Sequence, residues 1–157
     1  MYNISTMPKG IKLTPSLENY LEAILALEKK YRVARVKDIA KRLGVQMPSV
    51  TGALKNLKAK ELINYEKNSF ISLTKKGLAV ANSVQNRHSI LAAFLEKILL
   101  VPRDQAQNEA CKIEHTISPD TACRIQNLTS YIDENLFTGQ SVNPKEWETI
   151  VTGGLSE

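Results

Sequence analysis

Cysteine and histidine are scarce in this sequence, two of each among 157 residues. Cys111 and Cys123 match no zinc-ribbon spacing, and in a reducing compartment they read as free thiols, or as one ligand and one core residue, rather than a disulfide. Long apolar runs are lacking too. None approaches the ~20 residues that a membrane span needs, and the opening MYNISTMPKGIKLT has no apolar centre of a signal peptide, so a cytoplasmic chain without a membrane partner is expected. A His-Glu-x-x-His helix motif is also missing, which argues against a metallohydrolase built on His88, Glu114 and His115. What the chain does have is 43% hydrophobic residues, enough for a core without disulfides. Its 21 Lys plus Arg against 16 Asp plus Glu give a formal charge of +5, which suits a polyanionic partner without identifying one.

The pattern along the chain predicts a mainly α protein in two parts. Residues 1–13 show no periodicity and read as a flexible arm. Thr14-Pro15-Ser16 opens an amphipathic helix carrying Leu17, Tyr20, Leu21, Ile24 and Leu25. A second helix runs from about Val36 to Leu43 and is ended by Gly44; a third restarts around Pro48 with Val50, Leu54 and Leu57 inward. The period then changes: Ile63–Glu66 and Phe70–Leu73 are β-compatible, joined by Lys67-Asn68-Ser69 as a hairpin. Thr74 caps a long helix reaching toward Pro102, a fifth helix spans roughly Asp104 to His115, and a sixth opens at Ser118-Pro119-Asp120. The expected division is a winged helix-turn-helix DNA-binding domain over 14–74, an α-helical dimerisation and metal-binding domain over 75–136, and an irregular tail over 137–157, where Gly139, Pro144, Gly153 and Gly154 fall.

Ala40, Gly44 and Val50 stand at the intervals a helix-turn-helix needs: a small residue where two helices touch, a turn glycine, and an apolar residue facing back. A tight helical hairpin can show any one of these, but the hairpin that follows is the winged-helix order. The outer face of the third helix then carries Ser49, Gly52 and Lys55, with Gln46, Pro48 and Thr51 near its start. Gln46, Ser49 and Thr51 are the candidate base readers, although capping and ordinary surface roles also suit them. Lys55, Arg35, Lys37 and the hairpin-tip Lys67 are candidate phosphate contacts.

In Cys111-Lys112-Ile113-Glu114-His115, spacings of three and four turn a thiolate, a carboxylate and an imidazole toward one helical face, a ligand set for a transition metal. Taken singly, Cys111 also suits a core and Glu114-His115 a helix-end charge cluster. Glu22 and His88 are the residues able to complete a metal site from outside this motif. A thiol-redox regulator using Cys111 is the alternative within the DNA-binding class.

The stretch from Thr14 to Glu22, the helix-turn-helix from Asp38 to Leu57, Arg87-His88, and Glu109 to His115 together resemble the diphtheria toxin repressor family of iron- and manganese-dependent regulators, over about Leu13 to Glu134. The resemblance implies a homodimer that represses metal-uptake genes by binding an operator in double-stranded DNA when loaded, with no small-molecule substrate. It places the metal positions on Asn19, Glu22, His88, Cys111, Glu114 and His115. Cys111 resembles the iron-sensing branch and Glu22 the manganese branch, whereas Asn19 stands where these have methionine and aspartate. Ala92 and Gln107 stand where the iron branch supplies ancillary Glu and His ligands, so a second site is expected to be incomplete or rearranged. A soft thiolate favours Fe(II), with Mn(II) possible and Zn(II) or Co(II) able to substitute.

Overall fold

A computed structural model describes residues 13–66, 69–138 and 142–153. The chain forms two compact units, one ending at Gln85 and the other beginning at Asn86. The division falls inside a helix that has residues on both sides of it.

In the first unit, α1 (Pro15–Tyr31) starts as the Thr14 side chain accepts the Leu17 N–H at 3.3 Å, and it stops where Arg32 turns to φ 62°. Helix α2 (Val36–Leu43) ends at Gly44, whose φ of 66° is a left-handed conformation that glycine adopts without a Cβ penalty. Helix α3 (Met47–Ala59) follows after three residues and turns Val50, Ala53, Leu54 and Leu57 inward. Strands β1 (Ile63–Asn64) and β2 (Ser72–Leu73) pair antiparallel, Ile63 opposite Leu73, forming the wing. The strands are shorter than the expected runs because cross-strand pairing stops at Asn64, and beyond it Glu66 turns onto Ser69. A third extended segment joins them through a bridge between Ala34 and Ile71. Leu21, Ile24, Ile39, Leu54, Leu57, Leu62 and Ile71 are fully enclosed in one core, each contributing about 1.5–3 kcal/mol of burial. This core fixes α3 against α2 and leaves its opposite face outward.

Helix α4 (Lys75–Lys97) begins in the first unit and ends in the second. The second unit adds α5 (Arg103–Ile113), α6 (Pro119–Ile132), a π-helical turn over Asp133–Phe137, and α7 (Pro144–Thr152). Leu91, Ala92 and Leu95 of α4 cluster with Ala106 and Ala110 of α5 to make its core. Helix α7 corrects the expectation of a wholly irregular tail. Asn143 caps it by accepting the Lys145 N–H at 2.9 Å, Pro144 occupies its first turn, and Gly153 stops it at φ 66°. The residues taken as breakers are its two end signals, and Trp147 Nε1 donates to the Ile98 carbonyl at 2.9 Å.

Candidate metal centre and nucleic-acid interface

The centre in the second unit forms where α5 ends. Glu114 is the residue after the last turn of α5, and His115 lies in the following turn, so the expected continuous helix to His115 stops short. The Glu114 side chain is 1% exposed. Its Oε2 lies 2.6 Å from His88 Nδ1, brought in by α4, and its Oε1 lies 3.3 Å from His115 Nε2. One carboxylate thus stands between two imidazoles. Burial pushes the Glu114 carboxyl above the usual carboxylate value, against the lowering pull of His88, His115 and Arg87. Arg87 is itself buried, and its Nε donates to the Glu114 carbonyl at 2.8 Å, closing the open end of α5.

His88 Nε2 faces Gln107 Oε1 at 2.9 Å, so both ring nitrogens have partners. Gln107 stands where the resemblance implied an ancillary ligand, and here it orients the histidine of the main centre. Ala92, the other such position, is enclosed in the core and offers no donor atom. Among the described residues no buried side-chain nitrogen or oxygen lacks a hydrogen-bond partner. The donors of the centre are two imidazoles and a carboxylate, which fit a divalent transition metal if His88 exchanges a hydrogen bond for a coordinate bond.

Cys111 differs from the arrangement expected of it. It is an exposed thiol on α5 outside any disulfide, whereas Glu114, at four-residue spacing from the buried Ala106 and Ala110, is enclosed. Asn19 and Glu22 lie in the first unit, one turn apart on α1 and both half-buried. Arg87 and Gln107 have roles that spacing alone did not reveal. The only sequence signal for Arg87 was its place beside His88.

The DNA-reading candidates share one side of the first unit. Gln46, Pro48, Ser49 and Lys55 are exposed and Thr51 is half-buried. The Thr51 hydroxyl donates to the Met47 carbonyl at 3.1 Å, which leaves its oxygen as an acceptor for a base amino group. Gln46 precedes α3 without a side-chain capping bond, so its amide points to no helical duty. Arg35 and Lys37 flank the start of α2, both exposed. Lys67 lies outside the described residues. Met47 and Phe70, each 55% exposed, were not foreseen on this side.

Comparison with known proteins places both halves. The description "Iron dependent repressor, N-terminal DNA binding domain" matches residues 12–70, and "Iron dependent repressor, metal binding and dimerisation domain" matches residues 74–141. The HTH-type transcriptional regulator MntR of Bacillus subtilis (strain 168) is 37% identical over 122 residues, covering 78% of this chain and 85% of its own. Among solved structures, the manganese regulator SloR superposes with a TM-score of 0.66 at 31% identity, covering 76% of this chain and 55% of that one. ScaR with bound Zn2+ gives 0.64 at 29% identity, covering 73% and 54%. This chain therefore spans just over half the length of those two solved chains. No helix among the described residues is long and apolar enough to cross a membrane. The family consists of DNA-binding regulators rather than enzymes. A winged helix-turn-helix unit followed by a helical metal-binding and dimerisation unit, matched on both by relatives, makes this chain a member of the diphtheria toxin repressor family of metal-dependent transcriptional repressors.

Proposed function

We propose that the chain acts as a cytoplasmic homodimer that represses metal-uptake genes, binding a palindromic operator when Mn(II) or Fe(II) is held at the end of α5. The observation that carries this reading is the enclosed Glu114 carboxylate between His88 and His115. Glu22, Asn19 and Cys111 complete the proposed ligand set. Ligands drawn from both units give metal binding a way to bias the reading head, which is what coupling between two sites requires. Exposed Leu128, Tyr131 and Ile150 on the second unit support a dimer that covers them. A twofold dimer then sets its reading helices about one DNA turn, ~34 Å, or a multiple of it apart.

The exposure of Cys111 weakens the thiolate argument for Fe(II), and a carboxylate such as Glu114 is a ligand type that suits Mn(II). Manganese in the names of similar proteins supports the same preference. The test is fluorescence anisotropy of labelled upstream DNA, titrated with protein in chelator and then with Mn(II), Fe(II) or Zn(II) added anaerobically. Tight binding only with metal is expected; equal binding in chelator would remove the metal switch. The exposed thiol also favours a second reading, oxidation of Cys111 as the signal. Under that reading, peroxide changes operator affinity in the wild type but not in Cys111→Ser.

A further inference from the structure

Ile71 N–H donates to the Ala34 carbonyl at 2.9 Å, and the bridge so formed is antiparallel. Antiparallel pairing sets Arg35 opposite Phe70, and strand alternation turns these two outward while Ala34 and Ile71, both 0% exposed, face the core. The Arg35 guanidinium accordingly stands 5.1 Å from the centre of the Phe70 ring. Beside this pair, between the start of α3 and the wing, is a cleft of about 660 Å³ walled by Arg35, Lys37, Met47, Thr51, Tyr65 and Phe70.

The cleft is continuous with the reading face, because Met47 and Thr51 belong to the first turns of α3. Its walls combine a thioether, two aromatic rings and two cations. A base edge asks for matched donors and acceptors, whereas a deoxyribose flanked by phosphates presents an apolar face between two negative charges. We propose that this cleft is a sugar–phosphate slot. Met47 and Tyr65 pack on a deoxyribose of the bound duplex, and Phe70 is a positioning residue that acts through Arg35, holding its guanidinium on the neighbouring phosphate. The proposal rests on the operator-binding reading and adds to it a grip that is independent of sequence.

The experiment measures affinity of the full-length wild type, Phe70→Leu, Arg35→Ala and the double variant across a salt series with Mn(II). It uses the upstream duplex, an unrelated duplex, and the upstream duplex with uracil replacing thymine. Losing one phosphate contact lowers the slope of log K against log salt by about 0.9, the change expected for Arg35→Ala. Phe70→Leu removes no charge, yet it should lower that slope in part and weaken binding roughly threefold on all three duplexes. The double variant should bind no more weakly than Arg35→Ala alone. An unchanged slope in Phe70→Leu, losses that add in the double variant, or a loss that vanishes on the uracil duplex would each overturn the slot. Metal-dependent wild-type binding stands for the operator reading whatever the variants do. Binding to the unrelated duplex at low salt tests the slot even if the upstream duplex holds no operator.

Discussion

Two helical glycines separate backbone preference from available space, and they predict opposite effects of adding one methyl group. In a helix interior alanine is favoured over glycine by about 0.5–1 kcal/mol. At Gly52, inside α3, an added Cβ meets nothing within 4 Å, so Gly52→Ala should stabilise the first unit by roughly that amount. At Gly77, in the first turn of α4, the same Cβ falls 1.8 Å from the Leu62 carbonyl oxygen and 2.8 Å from its carbon. Those atoms are main chain and held: the Leu62 carbonyl accepts the Thr74 N–H and the Leu62 N–H reaches the Leu57 carbonyl, each at 3.0 Å. Relief must move α4 or the root of the wing. Overpacking costs about 1–3 kcal/mol and a strained hydrogen bond about 1, so after the propensity gain a net loss of about 2 kcal/mol is expected for Gly77→Ala. Urea midpoints of the metal-free variants measure both effects. A Gly77→Ala protein as stable as the wild type would refute the close packing of α4 on Leu62. Operator affinity adds a second readout, since Gly52→Ala should stabilise the fold and still weaken DNA binding by pushing a methyl outward from the reading face.

Three further outcomes follow from particular contacts. Burial raises the Glu28 carboxyl above its ordinary 4.5 even though the Leu73 N–H partly offsets this, so the wild type loses stability as pH rises from that value through the folded one. Glu28→Gln, which keeps an acceptor for Leu73, should gain on the wild type over that range in urea titrations at successive pH values; a gain that shrinks with pH would reverse the sign. Glu114→Gln should lower metal-dependent operator affinity at least about tenfold in anisotropy while leaving the metal-free circular dichroism spectrum unchanged. Trp147→Phe removes the hydrogen bond to Ile98 and should cost about 1 kcal/mol, seen as faster amide exchange within α7.

Local punctuation was legible because it depends on neighbours in sequence. Val36 to Leu43 is bounded by the helix-ending Gly44, Thr14-Pro15 starts α1, and Ser118-Pro119 starts α6, each as the residue types require. The tail misled for the same reason. Pro144 and Gly153 mark ends whether or not a helix lies between them, and nine residues with no buried side chain leave little apolar period to decide. The hairpin was legible as alternation, but the bridge to a third extended segment was not, because Ala34 and Ile71 meet across α2 and α3.

The centre divides along the same line. Glu114 and His115 were recognisable as adjacent donors, but their environments depend on what another helix packs on them, His88 against the Glu114 carboxylate and Arg87 against its carbonyl. Glu114 keeps helical dihedrals and continues the buried stripe of Ala106 and Ala110, which encloses the carboxylate, while Cys111, one residue round the helix from Ala110, is exposed. Gln107 shows the consequence for chemistry. An amide at that position cannot replace the implied histidine as a ligand of equal strength, yet one α5 turn before Cys111 it reaches His88 and fixes which ring nitrogen faces Glu114. A residue that looked like the loss of a second site is thus part of the support of the first. The enclosed carboxylate, two imidazoles and the Gln107 brace form a unit whose response to metal should depend on Gln107 through His88, without Gln107 touching the ion.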